Sequence, residues 1–126
     1  MDINYAELDT LCIPMVKYFN SIGLITEYSC QGHNNKLQNK FEIIFNKEVT
    51  DDQIIEFLSK YSVKYEQSPF IGYFYKWIRM IEHNVILRNW IYVVDYGNYC
   101  CNQKYAKEDL LMMLKGDNYN EQNTNG

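Results

Sequence analysis

The chain has 126 residues, of which 47% are hydrophobic and 16% aromatic, and it carries a formal net charge of −4. That is enough sequence for one core but not two, and the composition is that of a folded chain rather than a disordered one. The acidic balance disfavours general binding to DNA or RNA, and no apolar stretch approaches the roughly 20 residues that span a bilayer.

The N-terminal stretch MDINYAELD is acidic and lacks the basic-then-apolar layout of a signal peptide, so the expected location is the cytosol. The four cysteines are then expected as reduced thiols. Adjacency of Cys100 and Cys101 strains any disulfide between them.

Leu8, Leu11, Cys12, Met15, Phe19 and Ile22 recur at steps of three and four, which predicts a helix from about Tyr5 to Ile22. Pro14 has no N–H to donate, so the helix either starts near Thr10, with Pro14 in or just beyond its first turn, or bends there. Gly23 supplies the stop. Leu24 to Cys30 reads as a strand, Gln31 to Lys40 as a polar loop, and Phe41 to Phe45 as a second strand antiparallel to the first.

Thr50 with Gln53 forms a capping box, and Asp51 and Asp52 suit the positive end of the helix that follows, whose apolar face is expected to carry Ile54, Ile55, Phe57, Leu58 and Tyr61. From Gly72 to Asp95 two strand-like runs meet at His83 and Asn84, which reads as a long hairpin, although YFYKWIRMI also fits a helix. A last helix is expected over Tyr105 to Lys115, stopped by Gly116. Residues 1–116 thus read as a single α+β domain and 117–126 as a disordered tail. The order is α-β-β-α-β-β-α: three helices on one face of a mainly antiparallel sheet of about four strands.

Two places carry chemistry. In SCQGH, residues 29–33, Cys30 and His33 have the residue types of half a zinc site, with Cys100 or Cys101 to complete it, but no second paired half is present. A catalytic thiol needs an activating base; His33 is three residues from Cys30, and His83 is the other imidazole. A third reading is a ligand-binding turn, in which Gly32 admits a close backbone approach while Gln31 and His33 offer polar groups. Its plain alternative is a strand end where Cys30 packs and the others are solvated.

The second place is the hairpin. It holds both arginines, Arg79 and Arg88, among Tyr73, Phe74, Tyr75, Trp77, Trp90 and Tyr92, of which Tyr75, Trp77, Trp90 and Tyr92 are the candidate ligand contacts. Arginine forks bind phosphate, and aromatic faces stack on bases at about 1–3 kcal/mol each, so the set suits a nucleotide-sized ligand. The plain reading is an aromatic sheet under helices with arginines at its edge. Twelve tyrosines, six phenylalanines and two tryptophans are many for one modest core, which suggests a homodimer or larger closed oligomer with the hairpin at its interface.

LCIPMVKYFNSIGLITEYSCQGH resembles a group of small proteins of phages and prophages of low-GC bacteria, in which a helix with a leucine–proline–valine pattern leads through a glycine into a strand ending in SCQGH or a close variant. FEIIFNKEVTDDQI, FYKWIRM and NWIYVVDY continue the likeness more loosely. Among such proteins the chain looks most like the Thoeris anti-defence sponges. That resemblance implies a non-enzymatic oligomer without a cofactor that sequesters a cyclic ADP-ribose signal in the host cytosol. A fainter similarity is to the tRNA wybutosine-synthesis methyltransferases and their SCSGR element, from which this chain departs at Gln31 and His33. It implies the alternative of a Cys/His- or metal-dependent enzyme acting on a nucleotide or RNA.

Overall fold

The computed structural model describes residues 12–32, 39–61, 70–81 and 85–124, with the backbone alone for 79–81, 85–87 and 117–124. The elements are α1 (Ile13–Ser21), β1 (Thr26–Cys30), β2 (Phe41–Phe45), α2 (Asp51–Ser59), β3 (Tyr73–Ile81), β4 (Val85–Val94) and α3 (Tyr99–Thr124). Their order and type are those expected from the sequence. All strand pairs are antiparallel, in the spatial order β1-β2-β4-β3, so β1 and β3 form the two edges.

Pro14 falls in the first turn of α1, where a missing N–H costs nothing. The stretch predicted as helix before Cys12 lies outside the described residues. Gly23, at φ 88°, ends α1: its N–H donates to the Asn20 carbonyl and that of Leu24 to the Phe19 carbonyl, the two bonds of a Schellman turn. Because the Leu24 N–H is engaged in this turn, β1 starts at Thr26 rather than at Leu24 as expected. The Asn20 side chain fixes that start, donating to Thr26 Oγ1 at 2.9 Å and accepting from Thr26 N at 3.1 Å. The capping box of α2 is present as read.

The residues from Tyr73 to Ile81 are strand and not helix, paired along their whole length with β4. The expected connection at His83 and Asn84 lies outside the described residues. The last helix differs from its predicted span at both ends. Asn98 caps it six residues earlier than expected, accepting from the backbone N–H groups of Cys100 and Cys101. It also continues past Gly116 to Thr124, into the stretch read as a tail. Gly116 is not a stop here: a Cβ at that position would lie 2.5 Å from the Tyr61 ring, so the glycine lets the helix pass a large aromatic neighbour.

All three helices lie on one face. Met15, Val16 and Phe19 of α1, Ile54 and Phe57 of α2, and Ala106 and Met113 of α3 pack onto Phe41, Ile43, Phe45, Tyr92 and Val94. Phe19 contacts Phe45 and Phe74 edge-on, and Phe57 stacks on Phe70. A modest domain therefore hides many of its large rings by packing them on one another. Among the described residues no helix is long and apolar enough to cross a membrane.

Candidate anion-binding cleft

In an antiparallel pair, residues directly opposite one another point to the same side of the sheet. Here Phe74 faces Tyr92, Lys76 faces Trp90 and Ile78 faces Arg88, while Tyr75 faces Ile91 and Trp77 faces Asn89. The first set continues from the helix side and the second lies on the other side. The sequence-selected residues are thereby divided. Arg88, Trp90 and Tyr92 stand on the helix side, whereas Tyr75, Trp77 and the backbone position of Arg79 stand on the opposite side. The Arg79 side chain lies outside the described residues. Tyr92 is fully buried and donates to Asp109 Oδ2 at 2.6 Å, so its ring belongs to the core.

Beyond the N-terminus of α2 the helix layer ends, and a cleft of about 410 Å³ opens, lined by Lys47, Val49, Thr50, Asp51, Asp52, Lys76, Arg88 and Trp90. That volume is in the range of small-molecule sites, about 300–1,000 Å³. Asp51 organises the wall. Its Oδ1 accepts from Lys76 Nζ at 2.7 Å and from Trp90 Nε1 at 2.8 Å, and its Oδ2 accepts from Lys76 at 2.9 Å. One carboxylate thus occupies the Lys76 ammonium and fixes the indole plane. Among the described residues Lys47 and Arg88 form no ion pair, and the positive end of the α2 dipole lies beside them. The arrangement can hold an anion on Lys47 and Arg88 next to a flat aromatic surface.

The hydrogen bond from Lys76, followed by that from Trp90, holds the Asp51 carboxyl below its usual value of 3.8. A lowered folded-state value means that the pairing contributes above the ordinary carboxylate value and is lost as pH falls through the lowered one. In a Trp77→Phe variant, which leaves Trp90 as the sole indole, emission is expected to stay constant on acidification until below the ordinary carboxylate range. An indole transition at or above that range would show that Asp51 does not hold Trp90 in solution, and Asp51→Asn is expected to remove the step.

The SCQGH stretch has a different role in the fold. Cys30 is buried, and Gly32, at φ 90°, packs against the returning backbone: a Cβ there would lie 2.7 Å from the Asn39 carbonyl oxygen. Gly32 O accepts from Gln103 Nε2 at 3.3 Å, and Asn39 O accepts from the buried Asn102 Nδ2 at 2.8 Å, so α3 clasps both ends of the loop. Gln31 is half-buried, and His33 lies outside the described residues. Cys100 and Cys101 are exposed at the start of α3, and among the described residues no group of three or more His, Cys, Asp or Glu side chains could hold a metal.

Reading the sequence alone passed over Lys47, Asp51 and Lys76 as site residues. Two signals were present: Lys76 alternates with Trp77 along β3, and the capping box marks where a helix N-terminus must sit.

No curated protein and no solved structure matches the chain. Residues 1–112 match the YoqC prophage protein family, which agrees with a phage or prophage protein. With that match covering most of its length, the chain belongs to the YoqC prophage protein family.

Proposed function

We propose that this prophage protein is a non-enzymatic binder that sequesters a small nucleotide signal of the cyclic ADP-ribose kind, and so counters a host bacterial defence. The observation that carries the reading is the cleft in which Lys47 and Arg88 stand beside Trp90, with Asp51 holding the indole in place. Phosphates pair with the two cations and the base stacks on Trp90. The resemblance to the Thoeris sponges supports the choice of signal class.

Calorimetric titration against adenine nucleotides, ADP-ribose and its cyclic isomers tests it. Arg88→Ala is expected to weaken binding about tenfold to a hundredfold, the loss of about 1.5–3 kcal/mol that follows removal of a charge-assisted bond. Absence of heat with every nucleotide would sink the proposal. Mass spectrometry of ligand released on denaturation separates binder from enzyme, since a sponge gives up its ligand unchanged.

A further inference from the structure

The side of the sheet away from the helices has chemistry opposite to that of the cleft. Its centre is apolar: Ile91 and Val93 are buried there without belonging to the helix-side core, and the buried Asn89 lies beside them. Aromatic side chains rise from both edge strands. Tyr28 on β1 is 51% exposed, and on β3 Tyr73, Tyr75 and Trp77 are 52%, 38% and 37% exposed.

Carboxylates stand among these rings. Glu42 shares a row with Val93 and Tyr73, and Glu27, at the irregularity in β1, accepts from Asn89 Nδ2 at 3.0 Å. Lys40 lies 3.7 Å from Asp95 at one end of the face, so those two charges offset each other. Among the described residues neither Glu27 nor Glu42 forms an ion pair. Burial, and then the nearby Glu42 charge, hold the Tyr75 hydroxyl above its usual value.

Carboxylates without an ion pair among the described residues, beside exposed aromatic faces, suit a guanidinium or ammonium group: ion pairing from one side and cation–π attraction from the other. Four strands spaced about 4.8 Å apart make the face about 14 Å wide, which suits an extended polypeptide better than a compact small molecule. We propose that this face docks an arginine- or lysine-bearing segment of a partner protein, seating its cationic side chains between Tyr75 and Trp77 on one side and Glu42 and Glu27 on the other. Glu27 and Glu42 explain why a basic segment fits; on the same face Arg79 is placed by its backbone alone.

The two tryptophans make this testable apart from the nucleotide reading, because Trp77 lies on this face and Trp90 lines the cleft on the other. In a Trp90→Phe chain, an arginine–serine peptide is expected to shift Trp77 emission, more strongly at low salt, while a glutamate–serine peptide of equal length leaves it unchanged. The double variant Glu27→Gln with Glu42→Gln keeps the acceptor for Asn89, and it is expected to weaken peptide binding at least tenfold, as is Tyr75→Leu. Circular dichroism checks that each variant folds. Three results would each overturn the proposal: no response of Trp77, a response unaltered by the double variant, or a light-scattering dimer whose Trp77 is already shielded without peptide. Nucleotide titration of the Trp77→Phe chain reports the cleft alone, so one reading can fail while the other stands.

Discussion

Replacing Asp109 by alanine is expected to lower stability by about 3 kcal/mol, which for a chain of this size is a fall in melting temperature on the order of 10 °C. Asp109 is buried on α3, and its carboxylate is a three-way junction. Oδ1 accepts from Ile71 N at 2.7 Å, and Oδ2 accepts from Gly72 N at 2.8 Å and from the Tyr92 hydroxyl at 2.6 Å. These bonds tie the helix to the entry of β3 and to the C-terminal end of β4. Alanine leaves two backbone N–H groups and a phenol buried without partners, each costing about 1–3 kcal/mol, partly offset because a buried charge is also removed. Gly72 sharpens the effect, since a Cβ there would lie 2.7 Å from the Tyr92 ring, so the entry of β3 rests directly on that phenol. Urea titration reads the change, and a variant within about 1 kcal/mol of the parent would show that the junction contributes little. Tyr92→Phe removes only the phenol bond to the carboxylate and is expected to cost about 1.5–3 kcal/mol.

The same carboxyl gives stability an unusual pH dependence. Burial is the largest influence and outweighs the three donors, so Asp109 sits above its usual value of 3.8. Burial, together with the Asp109 charge and hydrogen bond, likewise pushes the Tyr92 hydroxyl up. A raised folded-state value means that the Asp109 contribution is fully present below the ordinary carboxylate value. It is lost as pH rises through the raised value and is flat above it. The stability difference between parent and Asp109→Asn is therefore expected to shift against the parent as pH rises from about 3.5 through the raised value. Asp51 acts in the opposite sense and over a lower window, so the two carboxyls can be told apart by where each trend falls.

Local structure was legible wherever a short-range rule decides it. The capping box at Thr50, the glycine turn at Gly23, the position of Pro14 and the alternation of the hairpin all follow from neighbours within a few residues. The candidate site was not legible, because it depends on register. A connection of His83 and Asn84 alone would set Arg79 opposite Arg88, Trp77 opposite Trp90 and Tyr75 opposite Tyr92, gathering the whole set on one face. The observed pairing of Ile81 with Val85 differs from that by one residue. A slip of one position turns every side chain of a strand over, which is why the residues separate into a cleft and an open face. The extent of α3 was misread for a related reason: Gly116 answers to Tyr61, distant in sequence, and no local rule announces that contact.

Gly32→Ala is expected to cost about 2–4 kcal/mol and to leave the cleft chemistry intact, an outcome that would assign the Gly32 turn to structure. Two effects add. At φ 90° an L-residue with a Cβ is strained, by roughly 1–2 kcal/mol. The new methyl would also lie 2.7 Å from Asn39 O and 3.1 Å from Lys40 O, and backbone cannot swing aside as a flexible side chain does. Moving it would disturb the bond from Asn102 to Asn39 and that from Gln103 to Gly32, which seat the loop on the first turns of α3. Gly97 supplies the control: at φ 81° it has the same conformational demand, yet a Cβ there meets nothing within 4 Å. Gly97→Ala is expected to show the conformational cost alone, about 1–2 kcal/mol, and the excess in Gly32→Ala measures the crowding. Urea midpoints give both, and amide exchange along the first turns of α3 should quicken in the Gly32 variant only. Equal midpoints for the two variants would refute the packing argument. Retention of nucleotide-dependent Trp90 emission in folded Gly32→Ala would place the turn outside the ligand site, whereas its selective loss would return SCQGH to the binding chemistry.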